Sequence, residues 1–396
     1  MKEGWTYKKL GEIATDMYRG SGIKRDQVTK EGMPCVRYGE IYTTYNIGFD
    51  KCVSHTDLSQ ISSPKYFEHG DLLFAITGES VEDIGKTIAY LGHEKCLSGG
   101  DIVVLKHNQD PKYLSYALSA PNAIKQKGLG KTKLKVVHTN IPALKEILIP
   151  IPSLDEQQRI VSRLDSAFAH IDELKAKAEK QLSEARTLFQ QALTKAMEPK
   201  EGWEEKTLGE LASDMYRGSG IKRDQVTSKG MPCVRYGEIY TTYNIGFDEC
   251  VSHTIESYIS SPKYFEHGDL LFAITGESVE DIGKTIAYLG HEKCLLGGDI
   301  ICMKHRQDPK FMAYVLSTPD AIRQKGIGKT KLKVVHTNAP ALKAISIPVP
   351  PLSEQQRIVA RLDSLSTHIR ELEEVERKII AECDALKQAL LRKVFE

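Results

Sequence analysis

The chain is one sequence written twice. Trp5 is matched by Trp203, Met17 by Met215, Glu40 by Glu238 and Glu198 by Glu396, always 198 positions apart and without a gap, so the duplication accounts for all 396 residues. A unit repeated this faithfully builds two similar surfaces on one polypeptide, usually related by an approximate rotation axis. The function of such a chain should need one surface twice.

Each copy changes composition abruptly at a proline-rich boundary. Glycines, tyrosines and short β-rich runs fill residues 1–152, whereas residues 153–198 hold no glycine, and the same break recurs at Pro350 and Pro351. The segments IPIPSLDEQQ and IPVPPLSEQQ place proline ahead of a helix start, where its missing N–H costs least. Ser153 with Glu156 fits a capping box, and in the second copy Ser353 or a proline-led first turn takes that part. Apolar residues then recur at spacings of three and four: Ile160, Leu164, Ala167, Ile171, Leu174, Ala178, Ala185, Leu188 and Ala192 in the first copy. The second gives Ile358, Leu362, Leu365, Ile369, Leu372, Ile379, Cys383, Leu386 and Leu390. That is a heptad seam, with Gln181 and Glu376 as polar interruptions. Each helix would be about 67 Å long at 1.5 Å per residue.

Neither stripe can be covered by its own compact domain, so the two helices are expected to pair with each other. Antiparallel pairing is the reading the connectivity favours, because a parallel pair would force a domain of roughly 15 Å radius to span the whole rod. Within residues 1–152, PCVRYGEIY, DLLFAIT, KTIAYLG and DIVVLKH read as strands. PKYLSYALSAPNAIKQKG reads as one or two helices, and ALKEILIPIP as a strand leading into the long helix. The expected fold class is α+β: two similar domains, 1–152 and 199–350, related by a pseudo-two-fold and separated by an antiparallel coiled coil of helices 153–198 and 351–396.

Composition excludes several classes. Hydrophobic residues at 41% and charged residues at 27% fit a soluble globular protein. No apolar run approaches the roughly 20 residues that cross a bilayer, and MKEGWTYKKL lacks a signal-peptide core, so a cytoplasmic protein without membrane contact is expected. Eight cysteines without a CxxC pair read as reduced thiols. A net charge of +1 rules out a bulk polycation, leaving nucleic-acid contact to local clusters.

Enzyme constellations fail in turn. Gly85-Lys86-Thr87 and Gly130-Lys131-Thr132 lack the first glycine of a P-loop, no dinucleotide fingerprint or nucleophile elbow occurs, and the Asn/Asp-Pro-Pro-Tyr/Phe motif of adenine methyltransferases is missing. Cys52-x-x-His55 and His93-x-x-Cys96, repeated as Cys250, His253, His291 and Cys294, have zinc-like spacing. Buried thiols and hydrogen-bonded imidazoles account for them more simply, and no metal ligand is assigned. The nucleic-acid signal is better distributed. AIKQKGLGKTKLKVVH holds Lys125, Lys127, Lys131, Lys133 and Lys135 without an acid, and the second copy keeps the charge as Arg323, Lys325, Lys329, Lys331 and Lys333. A positive glycine-containing loop suits phosphate contact. GSGIKRDQV and VRYGEIYTTYN add Lys24, Arg25, Gln27, Arg37, Tyr38, Tyr42, Tyr45 and Asn46, donors and rings suited to base edges. Glu40 and Glu79 are possible acceptors from cytosine amino groups. The second copy repeats the set as Lys222, Arg223, Gln225, Arg235, Tyr236, Tyr240 and Glu277.

Together EGWTYKKLGEIA, MPCVRYGEIY, FEHGDLLFAITGES and the boundary helix IPIPSLDEQQRIVSRLDSAFAHIDEL resemble the specificity subunit of type I restriction-modification systems. The Pro-x-x-x-Glu-Gln-Gln-x-Ile-Val boundary is the most specific element. The resemblance implies two target-recognition domains that each read half of a split double-stranded DNA site, spaced by the coiled coil. It implies a subunit that is not catalytic and carries no cofactor of its own. Two methyltransferase subunits would bring S-adenosylmethionine, and restriction/translocase subunits ATP and Mg. Members commonly pair two unlike domains, but here the candidate contacts from Lys24 to Glu79 are the same residues in both copies, which predicts an interrupted palindrome as target. A scaffold that bridges two protein-binding domains without touching DNA is the competing reading.

Overall fold

The computed structural model describes residues 4–80, 83–129, 137–278, 281–328 and 335–396. The chain divides into two units, residues 1–179 with 377–396 and residues 180–376. Each unit thus joins one copy's domain to helix from both copies.

In the first unit the central sheet has the strand order Ala14–Arg19, Ile102–His107, Leu72–Ala75, Thr87–Tyr90, Gly48–Phe49. All neighbours are antiparallel except the last pair. Leu72–Ala75 is buried along its whole length because the sheet is covered on both faces. Leu72 and Phe74 point into a core shared with the helix Pro111–Leu118 and the start of the long helix. Leu73 and Ala75 point the other way, into a core with Val36, Phe49, Phe67 and Tyr90. This is the two-residue alternation of a strand, with apolar partners on each side.

A smaller sheet, Val28–Thr29, Ser54–Thr56, Met33–Val36, Cys96–Ser98, Tyr66–Phe67, completes the domain. The edge strand Thr6–Lys9 pairs antiparallel with Leu148–Ile151, the strand that feeds the long helix. The second unit repeats both sheet orders and the edge pair Glu204–Thr207 with Ser346–Val349. The α+β reading of the domain stands. Two local readings need correction. PCVRYGEIY is strand only over Met33–Val36 and then turns into the helix Tyr38–Thr43, because Glu40 caps that helix by accepting the Arg37 N–H at 3.0 Å. ALKEILIPIP is first the short helix Ile141–Lys145, capped by the Asn140 side chain, and only then a strand.

The long helices span Leu154–Ala196 and Leu352–Phe395. Ser153 Oγ accepts the Glu156 N–H at 3.4 Å, whereas the second helix is capped by the Pro351 carbonyl, which accepts from Glu354 and Gln355. Gln157 is fully buried at the root. Its Oε1 accepts the Asp110 N–H at 3.0 Å, and its Nε2 donates to Gln109 at 2.8 Å and to the Pro152 carbonyl at 2.9 Å. Gln355 makes the same three bonds in the second unit. Tyr116 and Lys112 grip Asp165 about two turns further on, as Tyr314 and Lys310 grip Asp363.

Within the first unit, Asp172 pairs with Lys387 and Lys175 with Asp384 at 2.7 Å. Three residues forward on one helix are three residues back on the other, so the segments run antiparallel. In the second unit Arg186 pairs with Glu373 at 2.8 Å. The heptad reading needs one correction. Leu174, Leu188, Leu372 and Leu386 are exposed, while Phe168, Leu193 and Leu391 are buried in their place.

Candidate nucleic-acid interface

The candidate residues converge only in part, and where they do they line an open cleft. In the first unit Arg19, Arg25, Arg37 and Tyr38 surround about 660 Å³ with Gly22, Gly39, Gly99 and Gly100 on the rim. The second unit presents Arg217, Arg223, Arg235 and Tyr236 in the same way around about 1020 Å³.

Backbone geometry explains the convergence. The strand Ala14–Arg19 ends where Gly20 passes so close to the neighbouring strand that a Cβ there would lie 2.2 Å from the Gly99 carbonyl oxygen. Gly20 N–H donates to Ile102 and Ser21 N–H to Ser98, pinning Arg19 on one wall. Its Nη2 meets Asp101 at 2.6 Å and its Nε donates to the Gly100 carbonyl. Arg37 ends the strand Met33–Val36 on the opposite wall. Glu40, buried below it, accepts from Arg37 Nε at 3.3 Å and from Ser54 Oγ at 2.6 Å. That carboxylate is therefore structural: both oxygens are engaged, and it is not the acceptor for cytosine considered from the sequence. Arg25 begins the 3-10 helix Arg25–Gln27 and is exposed, and Tyr38 presents an exposed ring at the first turn of its helix. Arg19 and Arg37 are paired with the two carboxylates of the cleft, Asp101 and Glu40, so the guanidinium of Arg25 is in excess, which leaves the cleft electropositive and suited to phosphate or the acceptor edge of guanine.

Other candidates stand outside the cleft. Lys24 is exposed beside it. Gln27 spends its amide within the fold, accepting from Lys24 N–H at 2.8 Å and donating to the Gln60 carbonyl at 3.2 Å, and Gln225 repeats the pattern. Tyr42 is half-buried with its hydroxyl on the Thr77 and Asp83 carbonyls, and Tyr240 likewise on Thr275 and Asp281. Burial pushes both phenols above their ordinary range. Glu79 and Glu277 are exposed on the following turn. Lys131, Lys133, Lys135, Lys329, Lys331 and Lys333 lie outside the described residues.

Lys127 and Lys325 belong to the interior and not to a phosphate-binding loop. Lys127 Nζ is buried and donates to the Gly85 carbonyl at 2.6 Å, the Leu118 carbonyl at 2.8 Å and Thr87 Oγ1 at 3.0 Å. Burial pushes its pKa down to about 7, as for Lys325. In the Gly85-Lys86-Thr87 triplet, Lys86 donates to the Tyr42 and Tyr45 carbonyls and Thr87 to Gly85, so the triplet is a turn that ties itself together. Cys52 shares a hydrogen bond with Cys96; that contact and burial hold the Cys52 thiol far above the thiolate range. His93 stacks on His69 at 4.9 Å instead of joining them. Among the described residues, no three His, Cys, Asp or Glu converge on one point.

Sequence reasoning missed Arg19 and Arg217. The available signal was Arg-Gly-Ser-Gly at a strand end, repeated as Arg217-Gly218-Ser219-Gly220, where glycines let two backbones approach and leave the arginine at the edge.

Comparison with known proteins identifies the domain that carries this cleft. The model of the type I restriction modification DNA specificity domain matches residues 2–184 and again 200–382. The EcoKI specificity subunit of Escherichia coli strain K12 is 24% identical over all of this chain and 89% of its own length. The StySPI specificity subunit of Salmonella potsdam is 23% identical over the same shares. A solved chain from a study of assembly and conformational transition in the type I R-M system superposes with a TM-score of 0.76 at 20% identity, over 99% of this chain and 98% of that one. The HsdS subunit from Thermoanaerobacter tengcongensis gives 0.54 at 19% identity, over 100% and 97%.

Proposed function

The chain belongs to the type I restriction modification DNA specificity family, with that domain present twice, and we propose that both domains read the same half-site through their arginine-lined clefts. The observation that carries this is the recurrence of the cleft: Arg19, Arg25, Arg37 and Tyr38 in one unit are Arg217, Arg223, Arg235 and Tyr236 in the other. Identical donors at equivalent places select identical bases, so two such domains on opposite strands define an interrupted palindrome.

In this reading the subunit recognises DNA and leaves chemistry to its partners in the cytoplasm. Methyltransferase subunits supply S-adenosylmethionine, and restriction/translocase subunits supply ATP and Mg. The paired helices offer those partners apolar footholds: Leu174 and Leu386 are exposed in the first unit, and their counterparts Leu372 and Leu188 in the second. Exposed leucines on a paired-helix surface are expected where another protein covers them.

Methylome sequencing of cells expressing the chain with its methyltransferase tests the half-site reading. One half-site and its reverse complement, at fixed spacing, is the expected result. Two unrelated half-sites would overturn it. Replacing Leu174 and Leu386 with Glu should abolish co-purification of methyltransferase while leaving the melting temperature unchanged; undiminished co-purification would refute that docking site.

A further inference from the structure

The two copies are nearly the same where the clefts lie, but their helices differ in a way that is reciprocal. In the first unit Lys175 of the first helix meets Asp384 of the second at 2.7 Å. In the second unit the equivalent positions are Glu373 and Arg186, which meet at 2.8 Å. Both charges have been inverted, so each pair remains attractive. The root cavities show the same exchange. In the first unit the cavity beside Tyr116 takes Phe168, whose ring lies edge-on to Tyr116 at 5.3 Å, and Lys387, whose Nζ lies 5.0 Å from that ring. In the second unit the equivalents are Ser366 and Phe189, and it is Phe189 that approaches Tyr314, at 6.3 Å. Each cavity holds one phenylalanine, and both come from the first long helix, Phe168 near its start and Phe189 near its end, while the second helix supplies Lys387 and Ser366. Asp172 pairs with Lys387 in the first unit, and in the second Arg370 stands opposite Phe189 in the same cavity.

We infer that these five positions form a recognition code by which the helix of each copy accepts the other copy's helix and rejects its own kind. The alternatives can be read off the same contacts. Two first-copy helices would set Lys175 against Arg186 and crowd Phe168 and Phe189 into one root. Two second-copy helices would set Glu373 against Asp384 and Arg370 against Lys387, and leave Ser366 with no ring to fill the root. Like charges across a helix pair are a recognised means of excluding a wrong partner, and overfilled or underfilled packing adds to the discrimination. A chain made of two nearly identical copies needs such a device, because like-with-like pairing between molecules would leave domains in open-ended assemblies. The code selects the kind of partner, and the covalent link between the copies makes the intramolecular partner the concentrated one.

Exchange of the code in the full-length chain tests the inference. F168S/D172R/K175E/R186D/F189K gives the first helix the second's residues, and S366F/R370D/E373K/D384R/K387F does the reverse. Each set alone makes both units like-with-like, and should lower the melting temperature by about 5 °C or more or produce oligomers in size-exclusion chromatography. The two sets together restore unlike pairing with the units interchanged, and should recover the monomer and most of the lost melting temperature. An unaltered melting temperature and monomeric elution for either single set would overturn the code. So would a combined variant no better than the worse single set, since independent structural roles predict added losses and not recovery. If a single set fails to fold, recovery in the combined variant still decides for the code, and failure there decides against it.

Discussion

Burying an ammonium group strips its hydration shell, and at Lys127 the loss is met by two carbonyls and a hydroxyl. Those oxygens favour the charged form, but burial dominates and holds the pKa at about 7 in both copies. An unfolded lysine titrates at about 10.4, so between about pH 7 and 10 these two residues bind more protons in the unfolded chain than in the folded one, and their contribution to stability rises with pH through that window. From about pH 8.5 the buried thiols, Cys35 and Cys302 among them, and at higher pH the buried phenols, Tyr113 among them, act in the opposite sense because burial raises their pKa. Melting temperature measured from about pH 7 to 8 should therefore climb, and climb less in the K127M/K325M variant; equal slopes would show that these lysines do not titrate in the folded protein. Glu376 presents the converse case. It is 5% exposed, and its Oε2 has no hydrogen-bond partner, while its counterpart in the first helix, Ala178, is buried and apolar. An unsatisfied buried carboxylate oxygen costs about 1–3 kcal/mol. Glu376→Leu should accordingly raise the melting temperature by several degrees, and a decrease would mean that the carboxylate has a partner in solution.

The helix roots show how a motif can be legible before its reason is. Glu-Gln-Gln after a proline marked the start of each long helix in the sequence, but only the fold shows that Gln157 is a buried three-way tie between helix and domain. Gln157→Ala should cost about 1–3 kcal/mol by leaving the Asp110 N–H and the Pro152 carbonyl unpaired. Amide hydrogen exchange should then accelerate around residues 109–113 and in the first turn of the helix, and unchanged protection would show that water replaces the amide. The seam itself was read correctly as a period and wrongly as a face at particular places. A 3.5-residue repeat drifts against a 3.6-residue helix by about 20° per heptad. Each helix must also turn toward its domain at the root, so Phe168 and Leu391 go in and Leu174 and Leu386 come out. The reading of PCVRYGEIY as strand failed for a similar reason: β-branched and aromatic content outweighed a capping signal, Glu40 three residues after Arg37, that was already in the sequence.

The chain as a whole was most legible in its symmetry, because an unbroken repeat needs no structural interpretation. Within the clefts the sequence pointed to Arg25, Arg37 and Tyr38 through their chemistry, and overestimated Tyr42, Gln27 and Lys127. Side-chain type cannot distinguish a group aimed at solvent from one spent on a backbone carbonyl. Arg19 was invisible for the opposite reason, since its place depends on Gly20 meeting Gly99 across two strands far apart in the chain. Symmetry then makes a quantitative demand on binding. If both clefts hold the same half-site, Arg25→Ala and Arg223→Ala remove equivalent contacts and must weaken DNA binding by equal factors. An arginine contact with a base is worth about 1–3 kcal/mol, roughly a factor of five to a hundred and fifty. The double variant should lose about the product, because the two sites share no partner. Titration of the assembled methyltransferase complex onto a duplex carrying the methylated sequence, at one fixed salt concentration, measures all three. Equal single losses would tie each arginine to its own copy of one half-site, whereas a loss confined to one variant would mean that the two clefts, alike in their residues, bind unlike sequences.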